Sequence, residues 1–325
     1  MRSTRCKRDH TRGRATGHFL FFPVLFCVLL LACACSGKKE PELEAWALPE
    51  GDGSRDNTPV CLVPEASGET VYENEYASID ASNASEGYIC ATYLGENPKV
   101  KLRIIGEDEV LYTYDLNSEG KTEVFPLSSG NGTYEVFVYE QAEGTRYDTA
   151  HYASFSVTLR DPFLPFLYPN QYVAFGKDNE AVATAVELAR PADSDLDVVS
   201  NVYNYLIRHV TYDVHKAETV PYGYLPDVDD TLTTGKGICL DYSALMTAML
   251  RSQQIPTRME IGYAGTAYHA WLSSYIDGVG WVNGLIHFDG ESWSLMDPTF
   301  AASNSADYLE SFIGDGDNYV LKYIY

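Results

Sequence analysis

The sequence predicts an α+β protein with two folded parts, an all-β, immunoglobulin-like sandwich followed by a domain of helices and then an antiparallel sheet. Short strand-like runs separated by turn residues fill residues 58–160 with no helical stretch. Helical periods begin only after residue 177, and strand signals then return to the C-terminus, an order typical of an α+β plan. With 325 residues and 45% apolar residues, the chain is long enough for two hydrophobic cores.

The first 32 residues differ in composition from the rest and predict an export signal. A basic start precedes the apolar run FLFFPVLFCVLLLACAC, which has the length of a signal-peptide core. The run ends in Leu30-Leu31-Ala32-Cys33, which resembles the bacterial lipobox and implies lipidation at Cys33, with Cys35 as the alternative. We therefore expect an exported protein, lipid-anchored to the outer face of the bacterial cell membrane; an uncleaved anchor helix is the other interpretation.

The net charge excludes one class of partner. Residues 33–325 contain 17 Lys and Arg and 45 Asp and Glu, a formal charge of −28. Such a surface repels phosphate backbones and anionic headgroups, so the sequence predicts no nucleic-acid binding and contact with the membrane through the lipid anchor only.

Three cysteines remain in the folded part once the signal and the lipidated residue are set aside. Cys61 and Cys90 lie in the same predicted domain, where they either pair or stay as buried thiols. Cys239 is left as an odd cysteine, and in an exported protein an odd cysteine indicates a free thiol.

The order of elements follows from local patterns. Residues 33–57 are polar with Gly, Pro and charge and predict a flexible spacer. In 58–160, the runs KVKLRII, VLYTYDL, TYEVFVYE and YASFSVTL predict strands of the sandwich. Residues 161–176 hold three prolines among aromatic residues, so we expect a connector packed between the two domains rather than a helix or a loose linker.

The remainder, 177–325, begins with two predicted helices, over 178–190 and 195–210, each of which starts with acidic residues. We expect a loop over 211–234, whose acidic stretch LPDVDD is interpreted as solvated. A third helix is predicted from Cys239, and the runs TRMEIGYA, AYHAWLSSYI, GWVNGLIHF, SWSLMD and YVLKYIY then predict strands.

Three residues of this second part fit the needs of a cysteine nucleophile. Cys239 follows Gly-Lys-Gly and begins a helix, whose free N–H groups and positive dipole end favour a thiolate. His269 lies on a strand in which Ala267, Trp271 and Ser273 share its face, a pattern typical of a cleft lining. Asp297 ends a strand before Pro298 and could lie beside the imidazole.

Taken one at a time these residues are weak signals, since a cysteine that begins a helix is more often core than catalytic. His209, His215 and His287 are weaker candidates for the base. Tyr212 could line the cleft or hydrogen-bond near an oxyanion, although a packed tyrosine is the commoner outcome. No zinc-ligand spacing and no phosphate-binding glycine loop is present, so no cofactor and no metal are expected.

Together the motifs resemble the transglutaminase-like superfamily, which shares a papain-related cysteine-protease core. The resemblance rests on GKGICLDYSALMTAMLRSQQIPTRMEIGYA, then YHAWLSSYIDGVGWV, then LMDPTF, and covers roughly residues 178–300. It implies a catalytic triad of Cys239 as nucleophile, His269 as general base and acid, and Asp297 as the carboxylate that orients the histidine.

The expected function is that of a cell-surface thiol acyl-transfer enzyme. We favour a cysteine protease or amidase acting on peptide or isopeptide bonds through a thioester, because water needs no dedicated second site. Cell-wall peptide stays open as a substrate. A protein cross-linking transglutaminase and a non-catalytic scaffold lipoprotein are the alternatives, and the oligomeric state is not indicated.

Overall fold

The computed structural model describes residues 46–283, 285–288, 293–296 and 319–325. Cys33, Cys35 and Asp297 lie outside these residues. Within the described part of the chain, no helix is long and apolar enough to cross a membrane.

The N-terminal half is built from two antiparallel four-stranded sheets. Its strands are β1 (Val71–Glu73), β2 (Ala77–Asp80), β3 (Tyr88–Tyr93), β4 (Val100–Ile105), β5 (Tyr112–Leu116), β6 (Glu123–Pro126), β7 (Gly132–Glu143) and β8 (Arg146–Val157). One sheet has the order β1-β2-β3-β6 and the other β5-β4-β7-β8. Side chains of the two sheets share one core, since Ile79, Ile89, Leu102, Phe125 and Val136 are all fully buried.

Strand β5 lies at the edge of the second sheet, and its residues alternate between buried and partly exposed. Tyr112, Tyr114 and Leu116 are buried, whereas Thr113 and Asp115 between them are partly exposed. Because successive strand residues point to opposite faces, Thr113 and Asp115 are presented on the outer face of the sheet.

The segment 46–57, predicted to belong to a flexible spacer, instead packs on the helical part of the chain. The N–H of Gly53 donates to the carbonyl of Arg190 at 2.8 Å, and a Cβ at Gly53 would meet the carbonyl oxygen of Ala192 at 2.0 Å. Arg55 forms an ion pair of 2.6 Å with Asp195. The polar segment that suggested a spacer is therefore held on the helical part of the chain by a hydrogen bond and an ion pair.

The connector at 161–176 lies between the two parts of the molecule. It contains a single 3-10 turn, Leu164–Phe166, and is otherwise irregular, as its prolines require. The ring of Tyr168 lies 4.7 Å from that of Tyr88 in the sandwich, whereas the ring of Phe163 lies 4.3 Å from that of Tyr275 in the C-terminal sheet. Aromatic contacts on both sides thus fix the connector.

Between the connector and residue 252, all of which the structure describes, lie five helices and one short parallel strand pair. They are α1 (Glu180–Ala189), α2 (Asp195–His209), β9 (Thr211–Tyr212), α3 (Val214–Thr219), α4 (Val228–Thr234), β10 (Lys236–Gly237) and α5 (Cys239–Ser252). Helices α1, α2 and α5 lie where the sequence predicts them.

The predicted loop at 211–234 differs from the structure, because it contains α3 and α4. Each of these helices begins at an aspartate N-cap. The side chain of Asp213 accepts from the N–H of Lys216, and that of Asp227 accepts from the N–H groups of Asp229 and Asp230. The acidic stretch LPDVDD, predicted to lie in a loop, thus contains the N-terminus of α4.

The C-terminal sheet has the antiparallel order β13-β12-β11-β16, with β14 and β15 paired separately. Its strands are β11 (Thr257–Ala264), β12 (Ala267–Ile276), β13 (Gly280–Asn283), β14 (Leu285–Phe288), β15 (Trp293–Met296) and β16 (Tyr319–Ile324). Helices followed by an antiparallel sheet, after an all-β part, confirm the predicted α+β class.

Arg251 near the end of α5 joins three separate parts of the fold. Its side chain is 1% exposed. The guanidinium donates to the carbonyls of Thr257 at 2.9 Å, Tyr168 at 2.7 Å and Tyr325 at 2.8 Å. One buried cation therefore ties the connector, the start of β11 and the last residue of the chain to the central helix.

We predict that Arg251→Met lowers the free energy of unfolding by about 3 kcal/mol, because three carbonyls, two of them buried, lose a charged donor. Urea unfolding of the purified protein measures the change. Arg146→Met is the matched control, since the side chain of Arg146 is 69% exposed. Equal stability changes in the two variants would contradict the role assigned to Arg251.

Candidate active site

Two glycines shape the turn that leads into α5. Gly235 ends α4 with φ +60°, a left-handed conformation that favours glycine, and a Cβ there would lie 2.8 Å from the carbonyl oxygen of His209. A Cβ at Gly237 would lie 2.7 Å from the Cβ of Asp241. The turn can therefore approach the first turn of α5 closely only because it has no side chain at residue 237.

Asp241 holds this turn in place. The carboxylate is fully buried and accepts from the N–H of Ile238 at 2.8 Å. The hydroxyl of Tyr224 donates to its other oxygen at 2.6 Å, and the ammonium of Lys216 lies 2.7 Å away. Three donors from three segments thus converge on one carboxylate next to residue 239.

The charges of this cluster are reflected in its pKa values. Burial alone would lower the pKa of Lys216, but hydrogen bonds to Asp241 and Tyr224 outweigh it and raise that pKa. Burial, followed by the hydrogen bond to Asp241, raises the pKa of Tyr224 to about 12. Lys216 therefore stays a cation and Tyr224 a hydroxyl donor over the physiological pH range.

Cys239 is the first residue of α5, is 3% exposed and carries a free thiol. The first N–H groups of a helix have no partner within the helix and point toward its N-terminus. The thiol thus lies at the positive end of a helix dipole, where a negative charge is stabilised.

His269 lies near the start of β12, opposite Gly262 of β11, and is 6% exposed. Its ring stacks on that of Trp271 with centroids 6.2 Å apart, and the ring of Tyr319 lies 6.4 Å away. The shared face of His269 and Trp271 is the one that the strand alternation predicts. A Cβ at Gly262 would meet the carbonyl oxygen of Val320 at 2.1 Å, so only glycine fits opposite the histidine.

Cys239 and His269 line the same cavity, which has a volume of about 340 Å³. Tyr268 and Ala270, the neighbours of His269, also line it. Because consecutive strand residues alternate between faces, the cavity borders the start of β12 rather than one face of the sheet. The structure thus brings two of the three predicted site residues to one place. The third, Asp297, lies outside the described residues, and its role stays a prediction.

Two tyrosines interact electrostatically with the thiol: Tyr212, for which the sequence left a cleft-lining and a packed role open, and Tyr268, which it did not single out. Burial first, and then the negative charge of a Cys239 thiolate, raise the pKa of Tyr212. Burial, with a smaller contribution from the same thiolate, also raises the pKa of Tyr268. Both phenols are therefore kept protonated. The pairing of β9 with β10 aligns Tyr212 with Gly237, two residues before Cys239, but Tyr212 is not among the residues that line the cavity.

The sandwich also contributes to the cavity, which sequence reasoning did not foresee. Thr113 and Asp115 of β5 line it, together with Tyr172 of the connector. These residues are far from Cys239 in the chain and carry no local motif, so only the tertiary arrangement identifies them.

Two of the weaker candidates for the base, His209 and His215, do not line the Cys239 cavity, and the third, His287, lies in β14. His209 ends α2, where Nδ1 lies 2.8 Å from the carbonyl oxygen of Tyr205 and its ring stacks on that tyrosine at 3.9 Å. His215 lines a different cavity with Lys216 and Asp230. Cys61 and Cys90, left open as a disulfide, are free thiols.

Comparison with known families matches residues 182–284 to the transglutaminase-like superfamily. The match includes most of α1, then α2 to α5 and β11 to β13, and therefore both Cys239 and His269. The predicted resemblance is confirmed over this range. A comparison with curated protein sequences gave no match.

Several solved structures are similar to this chain at low identity. A protein from Cytophaga hutchinsonii proposed to be a cysteine protease is 18% identical, with a TM-score of 0.35, over 66% of this chain and 74% of that one. A proposed protease from Parabacteroides distasonis is 12% identical, with a TM-score of 0.29, over 62% and 61%. Red sea bream transglutaminase is 13% identical, with a TM-score of 0.25, over 72% of this chain and 49% of that one. Similarity at this distance does not carry over an activity.

We predict that Asp241→Asn lowers the free energy of unfolding by about 3 kcal/mol, because the side chain keeps its size but leaves Lys216 without its counter-charge. Urea unfolding again measures the change. Asp178→Asn, the same exchange at an exposed position, is the control and should change the stability by less than about 0.5 kcal/mol. A stability loss no larger than that of the control would show that the cluster does not hold the turn.

Proposed function

We propose, because residues 182–284 form a transglutaminase-like domain, that this protein is a thiol acyl-transfer enzyme that hydrolyses peptide or isopeptide bonds. The observation that carries the proposal is that Cys239, at the N-terminus of α5, lines one cavity with His269. A thiol at a helix N-terminus with an imidazole beside it is the arrangement that thiol catalysis needs.

In the proposed reaction, the imidazole of His269 takes the thiol proton, and the sulfur of Cys239 attacks the carbonyl carbon of the scissile amide. The tetrahedral oxyanion develops next to the free N–H groups at the start of α5, with the hydroxyl of Tyr212 as a further candidate donor. The carbon–nitrogen bond then breaks, and the leaving amine takes its proton from the imidazolium. The product of this half-reaction is a thioester on Cys239.

Hydrolysis of the thioester completes the cycle. The neutral imidazole takes a proton from water as the water oxygen attacks the thioester carbonyl, and the imidazolium returns a proton to the departing thiolate. Asp297 is proposed to hold the imidazole in the correct tautomer through both steps.

The site of action is also part of the proposal. Lipidation at Cys33, or alternatively at Cys35, would place the protein on the outer face of the bacterial membrane, where cell-wall peptide and surface proteins are accessible substrates. The charge of −28 over residues 33–325 supports attachment through lipid rather than through the protein surface.

We predict that iodoacetamide modifies Cys239 at pH 7 at least tenfold faster in the wild-type protein than in His269→Ala. The imidazole favours the thiolate, which is the nucleophilic form. Mass spectrometry that maps the modified cysteine separates Cys239 from Cys61 and Cys90, and these two serve as internal controls. Equal rates at Cys239 in the two proteins would refute the proposed Cys-His pair and leave a binding protein as the better interpretation.

We predict that Cys33→Ala abolishes incorporation of labelled fatty acid when the chain is expressed in a bacterium that processes lipoproteins, because the lipobox residues precede Cys33. Cys35→Ala serves as the control and should retain the label. Loss of label in Cys35→Ala alone would reassign the anchor to Cys35, and label in both variants would argue against a single lipidated cysteine.

A further inference from the structure

A short segment between the sandwich and the nucleophile helix forms one wall of the Cys239 cavity. All of its residues, Val220, Pro221, Tyr222, Gly223 and Tyr224, line that cavity. We refer to this segment as the 220–224 loop. It connects α3 to α4, and its two tyrosines are held by different parts of the molecule.

Tyr222 is held by the sandwich. The ammonium of Lys101 in β4 donates to the Tyr222 hydroxyl at 2.8 Å and lies 4.7 Å from the centre of its ring. Lys101 is 7% exposed and pairs with Asp115, its cross-strand neighbour in β5, at 2.5 Å. This buried cation therefore joins the sandwich to the loop.

Tyr224 is held by the nucleophile helix, through its hydrogen bond to Asp241. Gly223 lies between the two tyrosines with φ +79°, and a Cβ there would lie 3.0 Å from an oxygen of Asp115. The loop is thus fixed at one tyrosine to the sandwich and at the other to the first turn of α5. Neither domain alone would set its position.

The chemistry of the cavity wall indicates what it would accept. Apart from His269, its aromatic residues are six tyrosines, at positions 172, 222, 224, 268, 323 and 325. Val220, Pro221, Ile238 and Ile261 add apolar surface. Asp115 is the acidic residue among the lining residues that the structure describes, and these include no lysine or arginine.

We propose that the 220–224 loop and Asp115 form a specificity-determining wall that holds an aromatic or apolar peptide side chain next to the acyl carbon and disfavours an acidic one. This inference rests on the proposed function and adds the class of side chain that the same site selects. It also assigns the sandwich a part in substrate binding, through Asp115 and Lys101.

Two physical effects support the selectivity. Tyrosine rings bury apolar area and contact other rings in favourable edge or offset arrangements. This wall should therefore bind an aromatic side chain with the most favourable free energy. A carboxylate brought into the cavity would lose water, find no lysine or arginine among the described lining residues, and meet the like charge of Asp115. Lys101 offsets the charge of Asp115 only in part, because its ammonium bonds Oδ1 and Lys101 is not among the lining residues, whereas Oδ2 faces Gly223 of the wall.

The test uses irreversible peptide probes on the full chain in detergent solution. Acetyl-glycyl chloromethyl ketones with Phe, Gln or Glu beside the reactive carbon are compared, and in each the sulfur of Cys239 displaces chloride to form a thioether. The dependence of inactivation rate on probe concentration gives the half-saturation constant KI and the maximal rate separately. Gln and Glu have nearly the same shape, so their difference isolates charge.

In the wild-type protein we expect KI for the Phe probe to be at least tenfold lower than for the Glu probe, with Gln between them. Tyr222→Ala should raise KI for the Phe probe about tenfold while the maximal rate changes by less than threefold. Tyr222 is 70% exposed, so the substitution removes wall surface without removing core. Asp115→Asn should lower the ratio of KI for the Glu probe to KI for the Gln probe at least threefold.

Tyr152→Ala is the matched control, an exposed tyrosine of β8 that is not among the residues lining the cavity, and KI should stay within twofold. Equal KI values for the three probes, or equal effects of Tyr222→Ala and Tyr152→Ala, would overturn the inference. If Cys239 reacts rapidly with iodoacetamide in a His269-dependent way, such a result overturns only the specificity wall. An unreactive Cys239 overturns the proposed function together with it.

Discussion

The arrangement around Cys239 depends on the buried carboxylate of Asp241. Removing a charge from water is costly, and three donors, an amide N–H, a phenol and an ammonium, offset that cost here. Each donor belongs to a different segment, so the carboxylate fixes the turn before α5, the end of the 220–224 loop and α3 at the same time. It also lies in the first turn of α5, where a negative charge suits the helix dipole.

The other end of the same helix is held by a charge of the opposite sign. Arg251 lies in the last turn of α5, which is favourable for a cation, and binds carbonyls of the connector, of β11 and of the last residue. A helix that is almost entirely buried is thus located at both ends by charged hydrogen bonds and along its length by apolar contacts. The thiol at its N-terminus consequently has little freedom to move relative to the sheet that carries His269.

The parts of the fold that the sequence predicted are those with local signals. Helix α2 has a serine N-cap and a clear apolar period, and β12 is recognised by the His-Ala-Trp motif. Helices α3 and α4 were missed because they are short, and their aspartate N-caps lie in an acidic stretch that has the composition of a loop. The contacts of segment 46–57 with Ala192 and Asp195 were missed for a related reason, since polar residues do not reveal which distant groups they bond.

The cavity wall was beyond prediction for a different reason. From the local sequence, Lys101 and Asp115 are predicted to be surface residues of a strand pair. No motif near them indicates that they lie beside a site more than 100 residues away in the chain. Only the docking of the β5 edge against the 220–224 loop gives them a place beside Cys239. Sequence motifs thus located the reacting groups, whereas the surroundings of those groups required the tertiary structure.

The packing of segment 46–57 on α1 and α2 also limits the reach of the domain. If the chain is anchored at Cys33, only the residues between Cys33 and Trp46 separate the lipid from a segment that is part of the folded surface. A fully extended chain of that length spans at most about 45 Å. The helical domain, and Cys239 within it, would then stay near the membrane surface. Only peptide or isopeptide bonds close to the bilayer would be within its reach.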